Sequence, residues 1–237
     1  MAKGILYLIP VPLADSAVVA VVPANVKELV ASLTVFIVEN AKTARHWLKW
    51  YDHPTELRQI TILEMKQTDG AAEFDNYLAP LLQGNDVGLM SEAGCPGIAD
   101  PGADVVQRAH RAGIRVVPMV GPSSILLALM ASGLNGQRFS FHGYLPVDRN
   151  ERAKAIAELE QRSRRDRETQ IFIETPYRNS ALFQALIDTC RGETLLCLAT
   201  EVTGENETIG TRSIAEWRKN IPNLEKRPTV FLLLGGT

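Results

Sequence analysis

The chain of 237 residues is poor in the residue types that build metal sites and disulfide frameworks. Its three cysteines are Cys95, Cys190 and Cys197, and neither they nor the four histidines show the spacing of metal ligands. An odd number of scattered cysteines is typical of reduced thiols in a cytosolic protein. We therefore expect no metal site, no disulfide bond and a cytoplasmic location.

The chain also lacks an excess of charge and a long hydrophobic run. Its formal net charge is -2, so there is no overall electrostatic attraction to nucleic acid, although this balance is compatible with an RNA substrate. The apolar run at the N-terminus is broken by Pro10 and Pro12, which predicts a first strand rather than a signal peptide. No segment is long and apolar enough to span a membrane, and we expect no membrane partner.

Strand-like and helix-like segments alternate along the sequence. Up to residue 118 the pattern is βαβα with short connections, which predicts a parallel sheet covered on both faces. Further on, the strand candidates at 195–200, 207–211 and 229–234 are spaced closely enough to indicate antiparallel pairing. The sequence therefore predicts an α/β protein of two αβα domains, residues 1–118 with a mainly parallel sheet and residues 119–237 with a mixed sheet.

The most informative stretch runs from residue 87 to residue 102. A short apolar run, 87–90, predicts a buried strand, and it is followed by a loop of small residues, glycines, prolines and carboxylates. Ligands of α/β sheets bind at the carboxyl ends of strands, where small residues let a ligand approach the backbone. Asp100 and Pro101 predict the start of a helix, with the aspartate as its cap. The alternative interpretation is an ordinary turn between a strand and a helix.

Several short motifs, taken together and in order, resemble one family. They are residues 91–96 (Ser-Glu-Ala-Gly-Cys-Pro), 99–102 (Ala-Asp-Pro-Gly), 121–124 (Gly-Pro-Ser-Ser), 131–134 (Ala-Ser-Gly-Leu), 143–146 (Gly-Tyr-Leu-Pro) and 174–178 (Glu-Thr-Pro-Tyr-Arg). The sequence resembles the tetrapyrrole methylase superfamily, and within it the bacterial family that methylates a ribose 2′-oxygen of a cytidine in small-subunit ribosomal RNA. This resemblance implies a homodimeric methyltransferase that uses S-adenosylmethionine.

The resemblance also assigns residues to sites. The expected cofactor-binding residues are Ser91, Glu92, Ala93, Gly94, Cys95, Ile98, Asp100, Ser123, Ser124, Leu145, Thr175, Pro176, Tyr177, Glu201, Val202 and Thr203. The expected substrate-binding residues are Pro12, Glu39, Asn40 and Arg45. The N-terminal domain would thus meet the substrate and supply part of the cofactor loop, and the C-terminal domain would bind the cofactor.

An alcohol acceptor could also need a general base within hydrogen-bond reach. Glu39, Asp100 and Glu174 are the candidates, and the sequence does not choose among them. For each of the three, a helix cap or a surface ion pair is the competing explanation. Cys95 has no evident base beside it, so we interpret it as a small loop residue rather than a nucleophile.

Two motifs depart from the family pattern in the half expected to meet the substrate. Residues 11–16 read Val-Pro-Leu-Ala-Asp-Ser where the family usually has Thr-Pro-Ile-Gly-Asn-Leu, and residues 39–42 read Glu-Asn-Ala-Lys in place of Glu-Asp-Thr-Arg. Three hypotheses follow: methylation of ribosomal RNA, methylation of a small molecule such as a tetrapyrrole, or a cofactor-binding module without turnover. The arginine-rich run at 162–167 favours either contact with RNA phosphates or a solvated helix end.

Overall fold

A computed structural model describes residues 2–14, 21–66 and 68–236. The chain divides into two compact units, Met1–Ser123 and Ser124–Thr237, whereas the sequence placed the boundary after residue 118. Asp15 and Ser16, which belong to the altered first motif, lie outside the described residues. The roles assigned to the two domains stay predictions.

The first unit is built on a five-stranded, all-parallel sheet in the order β3-β2-β4-β1-β5. Its strands are β1 (Ile5–Ile9), β2 (Val35–Val38), β3 (Thr61–Glu64), β4 (Val87–Met90) and β5 (Arg115–Pro118). Its helices are α1 (Ala24–Ser32), α2 (Ala41–Trp50), α3 (Ala71–Leu82) and α4 (Ala103–Arg111), with a 3-10 turn at Leu57–Gln59. The parallel sheet predicted from the alternating pattern is confirmed.

Burial explains why this sheet forms. All four residues of β4 are buried, as expected for the central strand of a parallel sheet with helices on both faces. Two apolar clusters contribute to the core of the unit, one around Phe36 and Trp47 and the other around Leu81 and Leu89. Because the strands are parallel, the loops that follow β2, β3 and β4 emerge at one edge of the sheet.

The second unit holds a mixed five-stranded sheet in the order β6-β7-β10-β8-β9. Its strands are β6 (Phe139–Tyr144), β7 (Thr169–Ile173), β8 (Leu195–Thr200), β9 (Thr208–Ser213) and β10 (Thr229–Leu234). Its helices are α5 (Ser124–Ser132), α6 (Arg149–Asp166), α7 (Asn179–Thr189) and α8 (Ile214–Trp217). The β6–β7 pair is parallel and the other pairs are antiparallel, which confirms the predicted mixed sheet.

Two helix starts show how local chemistry fixes the elements near the site. Asn40 caps α2, since its Oδ1 accepts the backbone N–H groups of Lys42 and Thr43 at 2.9 and 3.1 Å. The prediction that Asp100 caps the next helix, with Pro101 in its first turn, is wrong. Helix α4 begins at Ala103, and Gly102 precedes it with a φ of 131° and without a side-chain cap. In the described part of the chain, no helix is long and apolar enough to cross a membrane.

Candidate active site

The loop of residues 91–102 has an unusual backbone. Gly94, Gly97 and Gly102 have φ values of 71°, 79° and 131°, and Ala99 has a φ of 63°. The conformation of Gly102 disfavours a side chain, and a Cβ there would also lie 3.0 Å from Cδ2 of Leu89. A non-glycine residue such as Ala99 in the left-handed region costs free energy, and such strain clusters at functional sites. The loop is therefore an irregular segment whose shape its glycines permit.

Two contacts anchor this loop inside the first unit. Val11 and Gly94 exchange backbone hydrogen bonds of 2.8 and 3.1 Å, which pair the loop with the stretch after β1. The Sγ of Cys95 donates to the carbonyl of Pro122 at 3.3 Å. Burial, with a smaller contribution from the charge of Asp100, raises the pKa of the Cys95 thiol. The thiol is thus neutral and bonded, which fits a small loop residue better than a nucleophile.

Helix α2 fixes the position of Glu92. The backbone N–H of Glu92 donates to Oε2 of Glu39 at 3.1 Å, and its side-chain Oε1 accepts from the hydroxyl of Thr43 at 3.1 Å. The indole N–H of Trp47 donates to the carbonyl of Glu92 at 2.9 Å. Glu92 therefore forms hydrogen bonds with three residues on or just before α2.

A cavity of about 540 Å³ opens beside these residues. Its lining residues are Glu39, Asn40, Met65, Lys66, Asp69, Phe74, Glu92, Asp100, Pro101, Gly102, Ala103, Asp104 and Val105. Among the described residues of this lining there are five carboxylates and one lysine. The loops after β2, β3 and β4 thus form an acidic cavity at the carboxyl edge of the parallel sheet.

Two carboxylates of the cavity are perturbed by their surroundings. Burial, and next the charge of Glu39, raise the pKa of Asp100 to about 6, although a hydrogen bond from the Ser91 hydroxyl acts against this rise. Burial also raises the pKa of Glu39, with the charge of Glu92 adding to it and the hydrogen bond from the backbone of Glu92 opposing it. Asp100 is therefore a half-buried carboxylate that titrates near neutral pH, which is the behaviour expected of a general base.

Glu174, the third candidate base, follows β7 in the second unit and has a different environment. Its Oε1 accepts two hydrogen bonds from Arg178, from Nε at 3.0 Å and from Nη2 at 2.7 Å, and a third from the backbone of Thr175 at 2.7 Å. The Glu174 side chain is fully buried, and its Oε2 has no hydrogen-bond partner in the part of the chain that the structure describes. For Glu174, the structure therefore favours an ion pair with Arg178 over the role of a general base.

The loop after β8 has a strained backbone as well. Glu201 and Thr203 have φ values of 51° and 69°. The backbone N–H of Thr203 donates to Glu207 at 2.7 Å, but its Oγ1 is buried and has no partner among the described residues. Glu201 forms an ion pair of 3.1 Å with Arg227. Of the other residues predicted in this unit, Leu145 is part of the hydrophobic core, whereas Tyr177 is 80% exposed.

Within the first unit, the structure brings together Glu39, Asn40, Glu92 and Asp100, which the sequence predicted. Arg45 lies outside the cavity, further along α2, and Pro12 is buried next to the strand bridge at Val11. The sequence missed the contribution of the segment after β3 and of the first turn of α4. The lining residues absent from the predicted set are Met65, Lys66, Asp69, Phe74, Pro101, Gly102, Ala103, Asp104 and Val105. In a parallel sheet, β3 ends at the same edge as β2. The strand order was therefore the signal that could have found the segment after β3.

Comparisons with known proteins agree with this architecture. The family model for tetrapyrrole (corrin/porphyrin) methylases matches residues 11–217. A solved structure, that of the methyltransferase CobJ, superposes with a TM-score of 0.64 over 99% of this chain and 95% of that one, at 16% identity. At this identity the likeness shows the fold alone.

Relatives with a closer sequence carry the name ribosomal RNA small subunit methyltransferase I. The protein of that name from Vibrio cholerae is 32% identical over 234 residues, covering 98% of this chain and 77% of the relative. The one from Pseudomonas aeruginosa is 31% identical over 198 residues, covering 82% and 68%. The one from Escherichia coli O157:H7 is 28% identical over 236 residues, covering 98% and 78%. From the family match and these relatives, the chain belongs to the tetrapyrrole methylase family of methyltransferases.

Proposed function

We propose that this protein transfers a methyl group from S-adenosylmethionine to a ribose 2′-hydroxyl of small-subunit ribosomal RNA. The observation that carries the chemistry is Asp100, a half-buried carboxylate whose pKa is raised to about 6 and which lines an open cavity beside Glu39. The RNA acceptor is supported by the names of the relatives from Vibrio cholerae and Pseudomonas aeruginosa. A homodimer in the cytoplasm is part of the same proposal, and light scattering on the purified protein tests the oligomeric state.

The residues expected to hold the methyl donor fit a polar ligand. In the second unit, Oε2 of Glu174 and Oγ1 of Thr203 are buried polar atoms without partners among the described residues. Both belong to loops that the resemblance assigns to the cofactor, and a buried polar atom is costly unless a ligand or water satisfies it. In the first unit, the loop of residues 91–102, which the resemblance also assigns to the cofactor, has a strained backbone rich in small residues. When bound, S-adenosylmethionine supplies an activated methyl group on a cationic sulfur.

Asp100 has the properties of the base that such a transfer needs. A general base works best when its pKa lies near the working pH, because it is then ionised and still accepts a proton readily. Asp100 would take the proton of the ribose hydroxyl as that oxygen forms its bond to the methyl carbon and the carbon–sulfur bond breaks. The neighbouring charge of Glu39 raises the proton affinity of Asp100 and so assists this step.

The test is a transfer assay with methyl-labelled S-adenosylmethionine. Purified protein is incubated with unmethylated small ribosomal subunits in one reaction and with a pool of small metabolites in another. Label in a ribose of the RNA supports the proposal. Label in a metabolite instead would show a small-molecule methyltransferase, and binding of the donor without transfer would show a module without turnover.

A further inference from the structure

The cavity of the first unit is unsuited to bind RNA through its phosphates. Five carboxylates and one lysine line it among the described residues, so a phosphodiester would be repelled there. A ribose hydroxyl is uncharged and does not suffer this repulsion. The phosphates that flank the reacting ribose must therefore be held by a cationic surface outside the cavity.

Helix α2 presents such a surface. Lys42, Arg45 and Lys49 occupy positions i, i+3 and i+7 and are all exposed, and the sequence of α2 contains no aspartate or glutamate. Together with His46 and Leu57 these residues line a groove of about 300 Å³. Seven residues of helix rise by about 10 Å, which makes the row long enough to follow an RNA backbone. We call the row formed by Lys42, Arg45 and Lys49 the basic face of α2.

In the part of the chain that the structure describes, no carboxylate pairs with the cations of the basic face. Within the described ranges, none of the three forms an ion pair, and the one side-chain hydrogen bond in the group runs from Arg45 to the carbonyl of Ala41 at 3.3 Å. In a chain with a net charge of -2, this is a local concentration of positive charge. When unpaired lysines and arginines contact a nucleic-acid backbone, they displace the salt cations condensed on its phosphates, and the release of these cations drives the binding.

The arginine-rich run at the end of α6 differs in this respect. Arg162 pairs with Glu168 at 2.8 Å, Arg164 with Glu193 at 3.2 Å, and Arg165 with Asp166 at 2.7 Å. An arginine that already has a carboxylate partner gains less from a phosphate, because the existing pair is weakened when the new one forms. The arginine-rich run at 162–167 is therefore the weaker site for RNA, and it is a suitable control.

The basic face also lies on a helix that contacts the wall of the cavity. Asn40 lines the cavity and caps α2, so the helix begins where the cavity ends. Thr43 and Trp47, on the same helix, are bonded to Glu92 of the cavity wall. A phosphate on α2 therefore lies within a short stretch of backbone from a ribose in the cavity.

We propose that the basic face of α2 binds the phosphodiester backbone of single-stranded RNA next to the ribose that is methylated. A single strand is expected because enzymes that modify a nucleotide inside a cavity act on strands outside a duplex or extrude the target from it. This inference rests on the proposed function, since it requires an RNA acceptor.

The experiment compares two triple variants with the unmodified protein. The test variant carries Lys42→Gln, Arg45→Gln and Lys49→Gln, and the control variant carries Arg162→Gln, Arg164→Gln and Arg165→Gln, which removes the same number of charges. Binding of a short fluorescein-labelled, cytidine-rich single-stranded RNA is measured by anisotropy over a range of salt concentrations. Far-UV circular dichroism and thermal melting check that both variants fold.

We expect the test variant to bind RNA roughly tenfold more weakly, or worse, at low salt. Its slope of log affinity against log salt should be less steep by about 2, since each phosphate contact of a single strand contributes about 0.7. In the transfer assay, KM for RNA should rise while kcat stays unchanged, and calorimetric affinity for S-adenosylmethionine should not change. The control variant should keep most of its RNA affinity.

Three results would overturn the inference, and they differ in what they say of the proposed function. If the unmodified protein methylates small subunits and the test variant binds RNA equally well, only the inference fails. If both triple variants lose affinity equally, the effect is one of total charge and the assignment to α2 is wrong. If the unmodified protein neither binds nor methylates RNA, the proposed function fails and the inference fails with it.

Discussion

Asp100 and Glu174 follow strands in different units, and the sequence offered both as candidate bases. Asp100 is half-buried, has carboxylates around it and titrates at a pKa of about 6. Glu174 is fully buried and accepts two hydrogen bonds from the guanidinium of Arg178. Arg178 engages the carboxylate of Glu174, whereas the charges that act on Asp100 are those of Glu39 and Glu92. Burial alone does not distinguish the two residues, because both carboxylates are at least half-buried.

The largest expected effect comes from Asp100→Asn, which removes the base. We expect kcat for transfer to RNA to fall by about 10² to 10⁴, the range that general-base catalysis contributes. In the unmodified protein, kcat/KM should rise with pH through about 6, as Asp100 loses its proton. Single-turnover transfer of labelled methyl groups measures both effects.

A matched control for this substitution is Asp104→Asn. Asp104 lines the same cavity, but it is exposed in the first turn of α4. We expect its substitution to change kcat little. Equal losses from both substitutions would contradict a specific role for Asp100 and indicate a general effect of the acidic cavity.

The second largest effect is expected from Glu174→Gln, which tests the ion pair between Glu174 and Arg178. This change leaves Arg178 without its anionic partner, and we expect the free energy of unfolding to fall by about 2 kcal/mol. The loss should lie below that of a fully buried ion pair because Arg178 is partly exposed. Urea denaturation measures this loss, and kcat at saturating donor should be retained.

A double-mutant cycle sharpens the result for Glu174. Adding Arg178→Gln to Glu174→Gln should restore part of the lost stability, because no uncompensated charge then remains. If Glu174→Gln abolished kcat in a protein that still folds and binds the donor, Glu174 would be the base and the contrast with Asp100 would be reversed.

A smaller effect concerns stability and pH. The pKa of Asp100 is higher in the folded chain, about 6, than in the unfolded chain, about 4, so the folded state binds the proton more tightly. Stability from this group is therefore present at low pH and is lost as pH rises through this window. We expect a loss of about 1 kcal/mol after solvent screening, and Asp100→Asn should remove it. Thermal melting at several pH values checks this prediction, which would be wrong if both proteins showed the same pH dependence.

The smallest effect is expected from Glu39→Gln. The amide oxygen of glutamine can still accept the hydrogen bond from the backbone of Glu92, so the loop should keep its anchor. Removing the charge lowers the pKa of Asp100, and the inflection in the pH profile should move to lower pH. An unchanged inflection would show that the charge of Glu39 does not contribute to the pKa of Asp100.

The sequence predicts the sheets well because their signals are local. Apolar runs of four to six residues form the strands β2, β4, β8 and β10, and the spacing of the later strands indicates their antiparallel pairing. The sequence predicts the wrong cap for α4, because Gly102, with a φ of 131°, directly precedes the helix that begins at Ala103. Asp100 does not cap that helix, since Gly102 stands at its N-cap position.

The site is predictable in part, for a similar reason. Glu39, Glu92 and Asp100 were found because they belong to motifs or stand at strand ends. The cavity wall after β3 was not found, because Met65, Lys66 and Asp69 form no motif and reach the site only through the order of the strands. The raised pKa of Asp100 depends on burial and on Glu39, which is distant in sequence, so no local pattern reports it.

The bonds between α2 and Glu92 have a consequence for the order in which ligands act. Because Thr43 and Trp47 are hydrogen-bonded to Glu92, we expect a partner that immobilises α2 to immobilise the loop of residues 91–102 as well. The ordering cost for a second ligand at that loop is then already met, and linkage makes this benefit mutual. The acceptor and the methyl donor should accordingly strengthen each other's binding.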